Sequence, residues 1–126
     1  ASIKVLELNP VEIKDENLTE KTLDKEAEKI LSAIKEESFV ITLEINGKQF
    51  SSEDFASKID EIGKSGCSEL VFVIGSSCGL SKKVSDRANL KLSFSKMTFL
   101  HQHARLILLE QIYRAFKILR KEVYHK

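Results

Sequence analysis

Apolar residues recur along the chain in two periods. Ile3, Val5, Leu6 and Leu8 predict a short strand ending before Pro10. Residues 11–20 are acidic and polar without periodicity and read as a loop. Ala27, Ile30, Leu31 and Ile34 then repeat at helical spacing, predicting a helix over 23–36 with Thr22 as a candidate cap. Phe39 to Ile45 is strand-like, and Asn46-Gly47 predicts a turn that ends it. Ser52, Glu53 and Asp54 open a second helix with Phe55, Ile59 and Ile62 on one face, which Gly63 and Gly66 close. Leu70 to Ile74 is a continuous apolar run, the pattern of a strand covered on both faces. Gly75 to Ser81 predicts a tight loop, 81–89 a short basic helix, Leu90 to Phe94 a fourth strand, and His101 to Lys121 a long final helix.

The order βαβαβαβα predicts an α/β fold: a parallel-rich sheet with helices on both faces and right-handed crossovers. In such sheets ligands bind at the carboxyl ends of the strands. Three segments therefore become candidates: those after Leu43, after Ile74 and after Phe94.

Length and composition narrow the class. The chain has 126 residues, 42% hydrophobic and 31% charged, with one Pro, which predicts one domain over 1–126 rather than a disordered or fibrous protein. No apolar run approaches the ~18 residues of a membrane span, and the N-terminal residues lack a signal-peptide pattern, so a soluble cytoplasmic protein is expected. Cys67 and Cys78 match neither a metal cluster nor a disulfide scaffold and read as reduced thiols.

Net charge hides an asymmetry. Residues 1–80 hold 9 Lys and Arg against 16 Asp and Glu, whereas residues 81–126 hold 11 against 3. The basic part, which also carries His101, His103 and His125, suits a polyanion such as RNA, although scattered surface charge gives the same count.

The loops carry weak signals singly. Gly75 and Gly79 permit close backbone approach to a ligand, yet they form neither a P-loop nor a dinucleotide fingerprint. Ser93 to Phe99 leaves a strand while staying half apolar, as a core segment or a pocket wall would. On the last helix His103, Glu110, Arg114, Lys117 and Lys121 form a polar stripe. Leu108, Leu109, Ile112, Ala115, Phe116 and Leu119 lie opposite, an apolar surface wide enough to predict a partner helix and so a homodimer. Arg105 falls on that apolar face, where it takes a partner or reaches water. Tyr124 and His125 supply a stacking ring and a group that titrates near neutrality. No hydrolase constellation or metal-ligand spacing is evident.

Taken together, Val40 to Lys48, Phe72 to Gly75 with Gly79-Leu80, Leu92 to Phe99 with His101, and Glu110 to Phe116 with Tyr124-His125-Lys126 resemble the RlmH family, also called YbeA or OrfX. These are bacterial SPOUT-class methyltransferases acting on N3 of a pseudouridine in 23S ribosomal RNA. The blocks span essentially the whole chain. The resemblance implies a SPOUT-type fold with a C-terminal trefoil knot, S-adenosyl-L-methionine as methyl donor, ribosomal RNA or the ribosome as partner, a homodimer, and no metal or membrane. It carries donor-binding positions onto Leu43, Gly75, Phe94, Ser95, Lys96, Met97, Thr98 and Phe99. RNA-facing positions carry over to His101, Arg105, Arg114 and Lys126, and catalytic positions to Tyr124, His125 and Arg114. The family pattern has a further strand and helix at the start, Gly-Gly where this chain has Gly75-Ser76, and Pro where it has Leu100. These departures motivate an alternative expectation, a non-catalytic RNA-binding homodimer of the same fold.

Overall fold

A computed structural model of the chain describes residues 2–7, 25, 27–75, 80–95, 97 and 101–120. Four strands form one sheet: β1 (Ser2–Glu7), β2 (Phe39–Gln49), β3 (Glu69–Ile74) and β4 (Leu90–Ser93). All neighbours are parallel, in the order β1-β3-β2-β4. The helices are α1 (residues 27–33), α2 (Ser52–Lys64), α3 (Lys82–Arg87) and α4 (His101–Leu119).

Alternation along the central strands sends side chains to two cores. Ile41, Leu70, Phe72, Ile74 and Leu92 pack with Phe55, Ala56, Ile59 and Ile62 of α2 and with Leu108, Ile112 and Ala115 of α4. Val40, Val71 and Val73 face the other way, onto Ala27 and Ile30 of α1 and Val84 of α3. Every residue from Leu70 to Ile74 is buried, as its unbroken apolar run requires. Helices thus cover both faces, the architecture the alternation predicts.

Local signals set the boundaries. Ser51 caps α2, accepting from Asp54 N at 3.0 Å, with Glu53 and Asp54 favourably placed in the first turn. Buried Ser81 caps α3 and accepts from Val84 N at 3.3 Å. Arg87 ties the end of α3 to the turn before β2. Its Nη2 donates to the carbonyls of Lys35, Glu36 and Ser38, each at 3.1 Å. Asn89 holds both polar backbone groups of Val40 at 2.8 Å, accepting from its N–H and donating to its carbonyl.

Two expectations change. The helix predicted over 23–36 stops at residue 33, and Lys35 to Ser38 form a turn secured by Arg87. Asn46-Gly47 does not end β2. The strand pairs with β4 through Leu43↔Leu92, makes an excursion, and rejoins it at Lys48↔Leu92. A glycine is needed there because a Cβ on Gly47 would lie 2.7 Å from the Lys91 carbonyl. The wide apolar arc of α4 divides between core and surface. Leu108, Ile112 and Ala115 are buried, while Leu106, Leu109, Tyr113, Phe116 and Leu119 are exposed.

Candidate functional site

The carboxyl ends of the strands lie in register. Glu7 pairs with Ile74, Thr42 with Val73, and Leu43 with Leu92. Glu7, Ile74, Leu43 and Leu92 therefore make one row across all four strands. Gly75 follows at the end of β3, and Phe94 lies two residues past Leu92. Leu43, Gly75 and Phe94 are all half-buried, and Leu43 and Phe94 pack against the α2/α4 core. Leu43, Gly75 and Phe94, where the three segments singled out in the sequence begin, lie at this single edge.

Past β4 the chain folds back on its own hydroxyls. Ser93 Oγ donates to the Ser95 carbonyl at 3.0 Å, and Ser95 Oγ accepts from Met97 N at 3.0 Å. Met97 is 72% exposed. Lys96, Thr98 and Phe99 lie outside the described residues, as do Tyr124, His125 and Lys126. The expected knot depends on the same undescribed segments.

Helix α4 runs beside the edge. Near its start Arg105 Nε meets Glu7 Oε1 at 2.9 Å, at the end of β1. Farther along, Gln111 Oε1 accepts from Ser52 Oγ at 2.6 Å, at the start of α2. His101 contributes its backbone as the first residue of α4. Arg105 resolves its two sequence readings at once: its side chain is 59% exposed and also paired. Arg114 donates from Nε and Nη2 to Glu110 Oε1, at 3.1 and 2.8 Å. Both candidate RNA-facing arginines thus carry a carboxylate partner. Sequence reading missed Glu7 in this role, because residues about a hundred apart share no local periodicity. Glu110 at i−4 from Arg114 was legible as a helix pair.

The family model described as predicted SPOUT methyltransferase matches residues 1–125. The chain belongs to the SPOUT methyltransferase family. Among curated SPOUT relatives it is similar to the ribosomal RNA large subunit methyltransferase H of Clostridium acetobutylicum. The two are 52% identical over 131 residues, covering 98% of this chain and 82% of that protein. The protein of the same name from Carboxydothermus hydrogenoformans is 53% identical over 92% of this chain and 78% of its own length. That from Clostridium novyi is 54% identical over 94% and 80%. As a SPOUT methyltransferase the chain requires a methyl donor, and the strand-end edge is its candidate site. Among the described residues, no helix is long and apolar enough to cross a membrane.

Proposed function

We propose that this protein transfers a methyl group from S-adenosyl-L-methionine to N3 of a pseudouridine in 23S ribosomal RNA, acting as a cytoplasmic homodimer. One observation carries the reading. Leu43, Gly75 and Phe94 converge on one sheet edge in a chain similar to proteins named ribosomal RNA large subunit methyltransferase H.

The edge suits the donor chemically. Half-buried Leu43 and Phe94 offer apolar surface to a flat heterocycle, and Gly75 lets a backbone come close. When bound, the donor supplies an electrophilic sulfonium methyl, so the work left to this chain is placement and proton removal. Leu43, Gly75 and residues 94–99 would hold the donor. His101, Arg105, Arg114 and Lys126 would hold RNA phosphates, which must draw Arg105 from Glu7 and Arg114 from Glu110. Tyr124 would stack on the acceptor base, and His125 would take the proton leaving N3. The apolar stripe Leu106, Leu109, Tyr113 and Phe116 would be covered by the second subunit.

The test uses ribosomes lacking the modification and donor labelled in its methyl group. Label should appear on one pseudouridine, located by mass spectrometry of nuclease digests, and purified protein should bind the donor saturably. Donor binding without label transfer, together with retention on ribosomes, would replace this reading with the non-catalytic RNA-binding dimer.

A further inference from the structure

After Leu43, β2 leaves β4 and returns at Lys48, so that Leu92 has both Leu43 and Lys48 as register partners. Lys48 therefore re-enters the sheet at the level of the strand-end row. Its ammonium lies 5.1 Å from the centre of the Phe50 ring. Phe50 is half-buried and packs against the α2/α4 core, which Leu43 and Phe94 also border. The cation is thus held on the sheet face of the candidate donor site, while Lys48 itself is exposed to water.

Its surroundings set Lys48 apart from the arginines near this edge. Arg105 is paired with Glu7 and Arg114 with Glu110, so a carboxylate must be displaced before either grips a phosphate. Among the described residues no carboxylate lies within ion-pair distance of Lys48. Glu44, the nearest carboxylate in sequence, is engaged elsewhere. It accepts from Thr42 Oγ1 at 2.6 Å and from Ser85 Oγ of α3 at 2.9 Å. Thr42 is fully buried on the face that carries Val40, opposite Leu43, and draws Glu44 to that side. The Phe50 ring attracts the ammonium through its quadrupole without cancelling its charge. It restrains a flexible stem and leaves a full positive charge facing water, which suits the phosphate of a polymer.

We propose that Lys48 grips a phosphate of the RNA substrate beside the methyl donor, with Phe50 as a positioning residue that acts through it. Arg105 stands at the β1 end of the strand-end row and Lys48 at its β2/β4 end. Two to three strand spacings, about 10–14 Å, separate those ends. RNA held at both lies across the edge where the methyl group is presented. This rests on the reading that the strand-end edge holds the donor and that the substrate is ribosomal RNA.

The test measures binding to unmodified ribosomes at several KCl concentrations and fixed magnesium. Ribosome KM, kcat, the donor dissociation constant and melting temperature are followed alongside. Lys48→Gln should weaken ribosome binding and raise ribosome KM about fivefold at low salt, the scale of one exposed ion pair. The slope of log K against log salt should flatten by about one. The effect should fall on KM, with kcat at saturating ribosomes within about twofold and donor affinity and melting temperature unmoved. Lys48→Arg should restore affinity and slope, since phosphate accepts either cation. Phe50→Leu keeps an apolar group on the core and should weaken ribosome binding about twofold at an unchanged slope, because the charge remains. A lower melting temperature in Phe50→Leu with wild-type ribosome binding would reduce Phe50 to a core residue and overturn its positioning role. Unchanged ribosome affinity and salt slope in Lys48→Gln would overturn the contact. So would a Lys48→Gln variant that loses donor affinity at the wild-type salt slope, since Lys48 would then serve the donor. Wild-type protein that neither binds ribosomes nor transfers methyl overturns the functional reading and the contact with it. Wild-type methylation matched by Lys48→Gln at every salt concentration overturns the contact alone.

Discussion

Gly47 of β2 lies against the Lys91 peptide of β4 so closely that an added Cβ would sit 2.7 Å from both the carbonyl carbon and oxygen. Backbone on both sides leaves no flexible atom to yield. Gly47→Ala should therefore force the two strands apart and cost about 1–3 kcal/mol, the range of overpacked sites. Thermal denaturation should show a melting temperature lower by several degrees. Because the excursion begins beside Leu43, donor affinity should fall as well.

Arg87 closes the turn before β2 through three carbonyls, and its Nη1 also donates to Asn89 Oδ1 at 3.1 Å. Arg87→Ala should lower stability in urea by about 1–3 kcal/mol with an unchanged denaturant slope. Arg87→Lys should recover little, since a single ammonium does not reproduce the planar fork.

Leu106 and Leu108 lie two residues apart on α4 and should behave oppositely. Leu108 is fully buried, and Leu108→Ala should cost about 2–5 kcal/mol in urea denaturation. Leu106 is 66% exposed, and Leu106→Ala should change the stability of the isolated subunit by no more than about 0.5 kcal/mol.

The exposed stripe on α4 predicts self-association. Leu109→Lys places a charge in its middle and should shift the protein to monomer in sedimentation-velocity runs, while far-UV circular dichroism stays unchanged. A wild-type protein that sediments as a monomer at every concentration would remove the dimer from the proposed function.

Arg105 is exposed and Glu7 half-buried, and water at the guanidinium should hold the pair's contribution to stability to about 1 kcal/mol in a double-mutant cycle. Their effect should be read in RNA binding instead. Arg105→Ala should weaken binding and flatten the dependence of log K on log salt by about one. Glu7→Gln should strengthen binding by releasing the guanidinium.

The sequence by itself determined the α/β class, the four strands and the side-chain alternation within them. Periodicity is a local property, and burial on one face or two is written directly into it, as in Leu70 to Ile74. The family was legible for a related reason: blocks around Leu43, Gly75, Phe94 and Arg114 keep their order and spacing along the chain. Tertiary structure alone decided the rest. Asn46-Gly47 reads as a turn from its own chemistry, and only the Lys91 backbone beside it shows that the strand continues. The α4 wheel displays one broad apolar arc, and only packing against α2 and the sheet divides it into the buried Leu108–Ile112 side and the exposed Leu106–Tyr113 side. Glu7 with Arg105, and Glu44 with Ser85, are pairs 98 and 41 residues apart. Nothing in local propensity links such positions, because the contact exists only once the parallel sheet has brought its strand ends to one edge.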